Sequence, residues 1–345
     1  MQHMSMRARL LALAVVCVLA VGGAVGYLLN LHGANARQVA NAPKVAIADP
    51  AALAQIAAGP HIVFRSTALG TDYGKLAMVA LADPGGPRVL TGTSCDRVYA
   101  AASRILCLSS EQGVLTTYQA QVLGTDLRAE QNLPLAGIPS RARLSVDGTL
   151  AATTSFTAGD SYAGTSFSTR TVISTLTGGS RTGANLEDYT LIHDGASIKP
   201  TDRNFWGVTF AKDDNTFYAT VAWGGHTYLV RGDRRTRIVT TIHSDAECPS
   251  LSPDGSTIVY KKRNSQPPGH WRLASYRIAT GTETLLGETR NVDDQVDWLD
   301  NNTVIYGIPR SGSQAAIDDI YAVPADGSGS PRLLIAQAWS PAVVH

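Results

Sequence analysis

Leu251-Ser252-Pro253-Asp254-Gly255-Ser256-Thr257-Ile258-Val259-Tyr260 reads as the end of one β-strand, a tight turn and the start of the next strand. Pro253 fixes φ at the first turn position, Asp254 bonds the backbone ahead of it, and Gly255 accepts φ > 0. Thr257-Ile258-Val259-Tyr260 has the β-branched and aromatic content of a strand. Pro249–Ser252 precedes the turn as a first strand. Trp271–Ile278 supplies a third, Thr280-Gly281 a further turn, and Glu283-Thr284-Leu285-Leu286 a fourth. The unit is a four-stranded meander.

The same order recurs in both directions. Downstream, Gln295–Leu299, the turn Asp300-Asn301-Asn302, Thr303–Gly307, Asp319–Val323 and Pro331–Ile335 repeat it. Upstream, Trp206–Phe210 leads through Lys212-Asp213-Asp214-Asn215 into Thr216–Val221, and Ala142–Thr149 copies the opening stretch with Val146-Asp147-Gly148. Another unit runs from Cys95 to about Leu133. The first unit holds Ile62–Arg65, Lys75–Leu81 and Pro87–Leu90 but lacks a first strand, while Trp339–Val344 follows the last unit as a surplus strand. One strand short at the start and one over at the end is the arithmetic of a ring closed by its termini. Closure also leaves only short, protected edges. The expected fold is all-β, a six-bladed β-propeller over residues 61–345, with N- and C-terminal strands sharing one blade.

Ser252-Pro253-Asp254-Gly255 before an apolar strand, repeated with Val146-Asp147-Gly148, resembles the TolB-type, WD-like branch of the β-propellers. The resemblance covers about Pro60 to His345. Periplasmic translocation proteins, the propellers of prolyl oligopeptidases and some bacterial lyases share this branch, so it implies architecture far more than activity. The sequence departs from the TolB pattern in its apolar start and in lacking a separate α/β domain ahead of the propeller.

Arg7 and Arg9 precede an uncharged run from Leu10 to Leu31. A run of about 20 residues is long enough to span a bilayer as a helix. Arginines stay on the cytoplasmic side, so residues 1–31 read as a membrane anchor that places the rest outside the cytoplasm. The alternative is a signal sequence cleaved after Ala34-Asn35-Ala36, which would release a secreted domain. Cys17 is a poor lipidation site, because Val15-Val16 before it is bulky and it falls mid-span. Residues 32–60 read as a tether that carries a short helix, with Asp49 as N-cap, Pro50 at its first position and Gly59-Pro60 as its stop.

Hydrophobic residues make up 44% of the 345-residue chain and charged residues 17%, which suits a globular core rather than disorder. Without Arg7 and Arg9, 27 basic side chains stand against 28 acidic ones. That balance argues against non-specific binding to nucleic acid. No C-x-x-C pair is present, so zinc or thioredoxin-like chemistry has no support, and no cofactor is implied.

The remaining candidates each have a plainer reading beside them. Gly159-Asp160-Ser161-Tyr162-Ala163-Gly164 resembles a nucleophile elbow, but Ala163 replaces its glycine and strand-forming sequence follows where a helix is required. It reads as a loop between strands, and no catalytic residue is assigned. His193-Asp194 reads as a turn before Gly195. Asp293, Asp294, Asp297 and Asp300 offer the carboxylates a hard cation prefers, yet match no calcium loop; they read as a solvated strand entry and turn, with no metal assigned. Arg231, Arg234, Arg235 and Arg237 bunch around one outer hairpin, and Lys261-Lys262-Arg263 follows an inner strand. Both clusters suit either solubility or the docking of an acidic partner, and the Arg231–Arg237 hairpin is taken as a partner-binding candidate. Cys95 and Cys107 fall at facing ends of two strands and form a possible disulfide, with two buried thiols as the alternative. Cys248 reads as a buried small apolar residue. The five tryptophans, Trp206, Trp223, Trp271, Trp298 and Trp339, read mainly as packing between blades.

The sequence therefore points to a membrane-tethered, extracytoplasmic propeller that binds a protein or peptide on one face, or serves as a scaffold. A propeller enzyme, a lyase or hydrolase acting on a carbohydrate or small molecule at the channel mouth, is the alternative. The scattered positions of His61, His193, His226, His243 and His270 weaken that alternative.

Overall fold

The computed structural model describes residues 5–159, 161–162, 167–178, 183–263 and 265–345. They form two units, Met1–Lys44 with Leu69–Thr71, and Val45–Ala68 with Asp72–His345.

The first unit is built on α1 (Met6–Asn41), 36 residues of apolar helix long enough to cross a membrane. Ser5 caps it by accepting from the Ala8 amide at 3.4 Å. The helix continues ten residues past Leu31, through the stretch read as the start of a tether. His32 to Asn41 contains no proline to stop it, and the alanines, arginine and glutamine there favour helix. It ends where Ala42, extended at ψ 140°, precedes Pro43, as the steric demand of proline on its predecessor requires.

In the second unit the residues before the propeller are docked onto it. Ala48 N–H donates to the Arg88 carbonyl at 2.8 Å, and the Arg88 amide donates to Ala46 at 3.0 Å. Asp49 caps the turn Pro50–Ala52 by accepting from the Ala51 amide at 2.8 Å. Then α2 (Leu53–Ala57) lays Leu53 and Ile56 on the apolar cluster of Val63, Leu76 and Met78.

The propeller follows. Blade 1 begins with β1 (His61–Ser66), β2 (Lys75–Ala80) and β3 (Val89–Ser94). Blade 2 is β4 (Arg97–Ala101), β5 (Arg104–Glu111), β6 (Thr117–Gly124) and β7 (Ala129–Leu133). Blade 3 is β8 (Ile138–Leu144), β9 (Leu150–Ala158), β10 (Ser168–Thr175) and β11 (Gly183–Asn185). A hairpin of β12 (Thr190–His193) and β13 (Ala196–Ile198) comes next, then blade 4 as β14 (Asn204–Phe210), β15 (Thr216–Trp223), β16 (His226–Asp233) and β17 (Ile238–Ser244). Blade 5 is β18 (Glu247–Leu251), β19 (Thr257–Lys262), β20 (Arg272–Arg277) and β21 (Thr282–Leu285). Blade 6 is β22 (Asp297–Trp298), β23 (Thr303–Pro309), β24 (Asp318–Pro324) and β25 (Arg332–Ile335). The final strand, β26 (Ala338–Val344), returns to blade 1 and pairs antiparallel with β1, Ile62 opposite Val343 and Val63 opposite Ala342. The chain is thus a six-bladed β-propeller whose N- and C-terminal strands close one blade. Strands are called A to D from the axis outward, so β26 is strand A of blade 1.

One feature lay beyond the sequence reading. The β12–β13 hairpin extends blade 4 to six strands, with β12 parallel to β17. His193-Asp194 is its turn, where Asp194 and Gly195 hold φ of 49° and 78°. Of the two alternatives read for Cys95 and Cys107, the structure has the disulfide, with Cα atoms 5.4 Å apart.

The seams between blades are apolar. Blades 1 and 6 meet through Phe64, Val79, Ile305 and Ile320; blades 3 and 4 through Leu150, Ile173, Phe205 and Phe217. Trp206, Trp271 and Trp298 are buried in such packing, all at 3% exposure or less. Turn chemistry repeats around the ring. Gly255 N–H closes on the Ser252 carbonyl at 2.8 Å, Gly255 has φ 75°, and Asp254 accepts from the Ser256 amide at 3.0 Å. At Ser145–Gly148 the same closure is 2.9 Å, and Asp147 accepts from the Thr149 amide at 2.9 Å. Asp213 and Asp300 cap the equivalent turns of blades 4 and 6. Asp254 is therefore a turn cap.

Candidate functional site

A cavity of about 460 Å³ opens where the A–B turns converge on the axis. Exposed Val146 and Lys212 and half-buried Pro253 stand at its rim, Tyr99, Phe210 and Leu251 along its wall, and Arg143, Asp297 and Trp298 at its base.

The base is a charged crossbar. Arg143, from strand A of blade 3, places Nη1 3.2 Å from Asp297 Oδ1 on strand A of blade 6. These two blades are diametrically opposed in a ring of six. Arg143 Nη2 also donates to the Val296 carbonyl at 3.0 Å and to Ser250 Oγ at 3.3 Å, and its guanidinium lies 4.4 Å from the centre of the Tyr99 ring. The Tyr99 hydroxyl donates to Asp297 Oδ1 at 3.2 Å, and the Val343 amide donates to Asp297 Oδ2 at 2.8 Å. One carboxylate thereby joins blades 1, 2, 3 and 6. Burial pushes the Asp297 carboxyl above its ordinary range, with Arg143 opposing, and pushes the Tyr99 phenol up to about 12.

A second charged layer lies nearer the B–C end. Asp294, fully buried, accepts from Arg97 Nη1 at 3.1 Å and from the amides of Gly307 at 3.0 Å and Ser340 at 2.9 Å. Position 307 admits only glycine, since a Cβ there would meet the Trp339 ring at 2.2 Å and the Asp294 carboxylate at 2.7 Å. Asp293 Oδ1 accepts from Lys261 Nζ at 2.6 Å and from Arg141 Nη2 at 3.2 Å. Burial raises the proton affinity of Asp293, but Lys261 and Arg141 outweigh it and hold the carboxyl below its ordinary range.

These layers correct the reading of Asp294 and Asp297 as solvated, while Asp293 is half-buried. Asp294 and Asp297 are 0% and 6% exposed, because Arg97, Arg143, Tyr99 and backbone amides close around their carboxylates; Asp300 stays an exposed turn cap. Lys261-Lys262-Arg263 is likewise no free patch. Lys261 is buried, Lys262 pairs with Asp245 and Glu283 at 3.2 Å, and Arg263 with Glu247 at 3.1 Å. Arg97, Arg141 and Arg143 were not singled out from the sequence. Their signal was the alternation Arg141-Ala142-Arg143 in a first strand, which puts both guanidinium groups on one face.

The Arg231–Arg237 hairpin is the C–D turn of blade 4. Arg231, Arg235 and Arg237 are exposed, while Arg234 is half-buried and donates through Nε to the Asp214 carbonyl at 3.0 Å. That bond ties the hairpin to the A–B turn of its own blade, so the arginines lie on the face that carries the cavity. Cys248 is 3% exposed, and its sulfur accepts from Arg141 Nε at 3.3 Å. Ser161 lies on the connection between β9 and β10, strands B and C, and the next element among the described residues is strand β10; Asp160, Ala163 and Gly164 of the same motif lie outside the described residues. Among the described residues no three His, Cys, Asp or Glu side chains are grouped to hold a metal.

No protein-family model matches the chain. No curated protein matches it either. Solved structures do. TolB from Acinetobacter baumannii superposes with a TM-score of 0.58 at 18% identity, over 83% of this chain and 67% of that one. What they share is the six-bladed propeller. The chain in a nidogen/laminin complex gives a TM-score of 0.54 at 10% identity, over 83% and 98% of the two chains. A puromycin hydrolase gives 0.48 at 13% identity, over 81% of this chain and 45% of that one.

Proposed function

We propose that this chain is a membrane-tethered propeller outside the cytoplasm that binds a protein or peptide segment at the cavity on its A–B face. The observation that carries the reading is the contrast between rim and base. The rim offers exposed apolar groups, Val146 at 57% exposure above Leu251 and Phe210, which suits the burial of a partner's side chain. The polar groups at the base are already committed to one another. Asp297 accepts from Arg143, Tyr99 and Val343, and Arg143 is spread over three oxygen partners and a ring. A general acid or base needs a free position toward its substrate, and this base is a brace. The exposed Arg231, Arg235 and Arg237 on the same face extend the docking surface toward acidic groups on the partner. Helix α1, with Arg7 near its start, supports the anchor and the outside location. Similarity to a TolB propeller and to one from a nidogen/laminin complex agrees with a binding scaffold.

The test is site-directed photo-crosslinking of the full-length chain in its own membrane. A crosslinking side chain at Val146 should capture one saturable partner, and Leu251→Arg in the same chain should abolish the capture. Leu115, 81% exposed in the B–C turn of blade 2, serves as the control position. Equal capture from both positions, or none from Val146, would overturn the proposal.

A further inference from the structure

The layer nearer the B–C end inverts the usual placement of charge. Lysine normally carries its ammonium out to water on a flexible stem. Here the Lys261 side chain is 0% exposed and that of Arg141 6%, whereas Asp293, the carboxylate between them, is 42% exposed. Both cations converge on one oxygen, Asp293 Oδ1, at 2.6 and 3.2 Å. Lys261 Nζ otherwise faces rings, 4.1 Å from the centre of Trp271 and 5.3 Å from that of Tyr162.

The neighbours leave this pair short of negative charge. Glu247 lies opposite Lys261 across the strands, but its Oε1 is taken by Arg263 at 3.1 Å and by the Trp271 indole N–H at 2.9 Å. Asp294 is held by Arg97 and two backbone amides. Arg97 is matched by Asp294 and by the nearby Asp318, which leaves Arg141 and Lys261 sharing the single carboxylate of Asp293. Asp293 belongs to the irregular connection between β21 and β22, so its side chain can turn outward without breaking a strand pairing.

We propose that Arg141 and Lys261 form a binding site for a carboxylate, and that Asp293 occupies it when no ligand is bound. The incoming carboxylate replaces Asp293 one for one. Its oxygen takes the same two donors while Asp293 moves to solvent. No covalent bond changes, and the buried charge stays balanced. The ligand is a small carboxylic acid or the side chain of an acidic peptide, because a fully buried ammonium admits only a slender group. This site is independent of the A–B cavity and does not rest on the function proposed for it.

The full-length chain in detergent is titrated, at constant ionic strength held with sodium chloride, with sodium acetate and separately with N-acetylated, C-amidated Gly-Asp-Gly. Indole fluorescence is the readout, and its loss in Trp271→Phe assigns the signal to the ring over Lys261. The wild type should saturate weakly. Asp293→Asn should bind at least about tenfold tighter, since a tethered competitor acts at an effective concentration in the millimolar range. Lys261→Met combined with Asp293→Asn should show no response. Acetate saturating alone identifies a free acid, and the peptide saturating tenfold or more below acetate identifies an acidic side chain. Absence of saturation in both the wild type and Asp293→Asn, or a response retained by the double variant, would overturn the site. Should Asp293→Asn fail to fold, the wild type is compared with Lys261→Met alone, which keeps Arg141 paired with Asp293 and should lose the response; a response retained there would overturn the site.

Discussion

Arg143 and Arg235 are both arginines beside aspartates, and they do opposite things. Arg143 stands on an innermost strand, its side chain 8% exposed, and reaches across the ring to Asp297. Arg235 stands exposed at an outer turn, where its backbone amide, rather than its guanidinium, is bonded to Asp233 Oδ1 at 2.9 Å. The inner arginine is a structural tie whose loss strands a buried carboxylate. The outer one leaves its charge to solvent or to a partner. Position in the blade, rather than residue type, decides which role an arginine takes.

Asp297→Ala is the hardest blow to that contrast. It removes the partner of a buried guanidinium and should cost about 3–5 kcal/mol, measured by denaturant unfolding. The paired replacement Arg143→Met with Asp297→Leu should cost clearly less than Asp297→Ala alone, because no charge is left uncompensated. An equal loss would show that Asp297 matters through Tyr99 and Val343 rather than through the ion pair.

Breaking the Cys95–Cys107 bond by Cys→Ser at both positions should cost about 3 kcal/mol by the loop-entropy estimate for a short loop. The same unfolding curves test it. A smaller loss would mean that the crossbar alone holds β4 in place.

Asp318 sharpens the comparison through pH. Burial first, and Asp294 second, push its carboxyl up to about 7. Its folded value lies above its unfolded one. Its stabilising contribution is therefore complete below about pH 4, the ordinary carboxylate range, and is lost as pH rises toward 7. Asp318→Asn should leave stability unchanged at pH 4 and raise the unfolding midpoint at pH 8. No gain at pH 8 would sink this reading.

The smallest effect belongs to the outer hairpin. Arg235→Glu should change stability by less than about 0.5 kcal/mol, as for exposed positions away from special features. It should nonetheless weaken capture from Val146 if the hairpin helps to dock the partner. A large loss of stability would erase the distinction drawn here.

Much of the ring was legible because its signals are local. Pro253-Asp254-Gly255 and Val146-Asp147-Gly148 are turn chemistry written into neighbouring residues, and the missing first strand before Ile62 with a surplus at Trp339 gave the closure. The six-stranded blade was not legible, because β12 and β13 are short and β12 pairs in parallel with a strand almost fifty residues away. The charged channel was hidden for a related reason. Asp294 reads as polar and is buried because Arg97 and the amides of Gly307 and Ser340 meet it, and those partners are far apart in sequence. Charge patterns announce solvation by default, and only the blade position of Arg141-Ala142-Arg143 argues otherwise.

The pairing of β26 with β1 also sets a clock. His61 and Val344 are partners at nearly opposite ends of the propeller sequence. Closing a loop of that length costs about 5 kcal/mol in chain entropy by logarithmic scaling. Until β26 arrives, β1 offers Ile62, Val63 and Phe64 as an open strand edge, the kind of surface that recruits other chains. In synthesis from the N-terminus, that edge emerges early and its cover comes last. Ring closure should then be the slow step of maturation. Ala338–Val344 should be where an impaired variant aggregates rather than merely loosens.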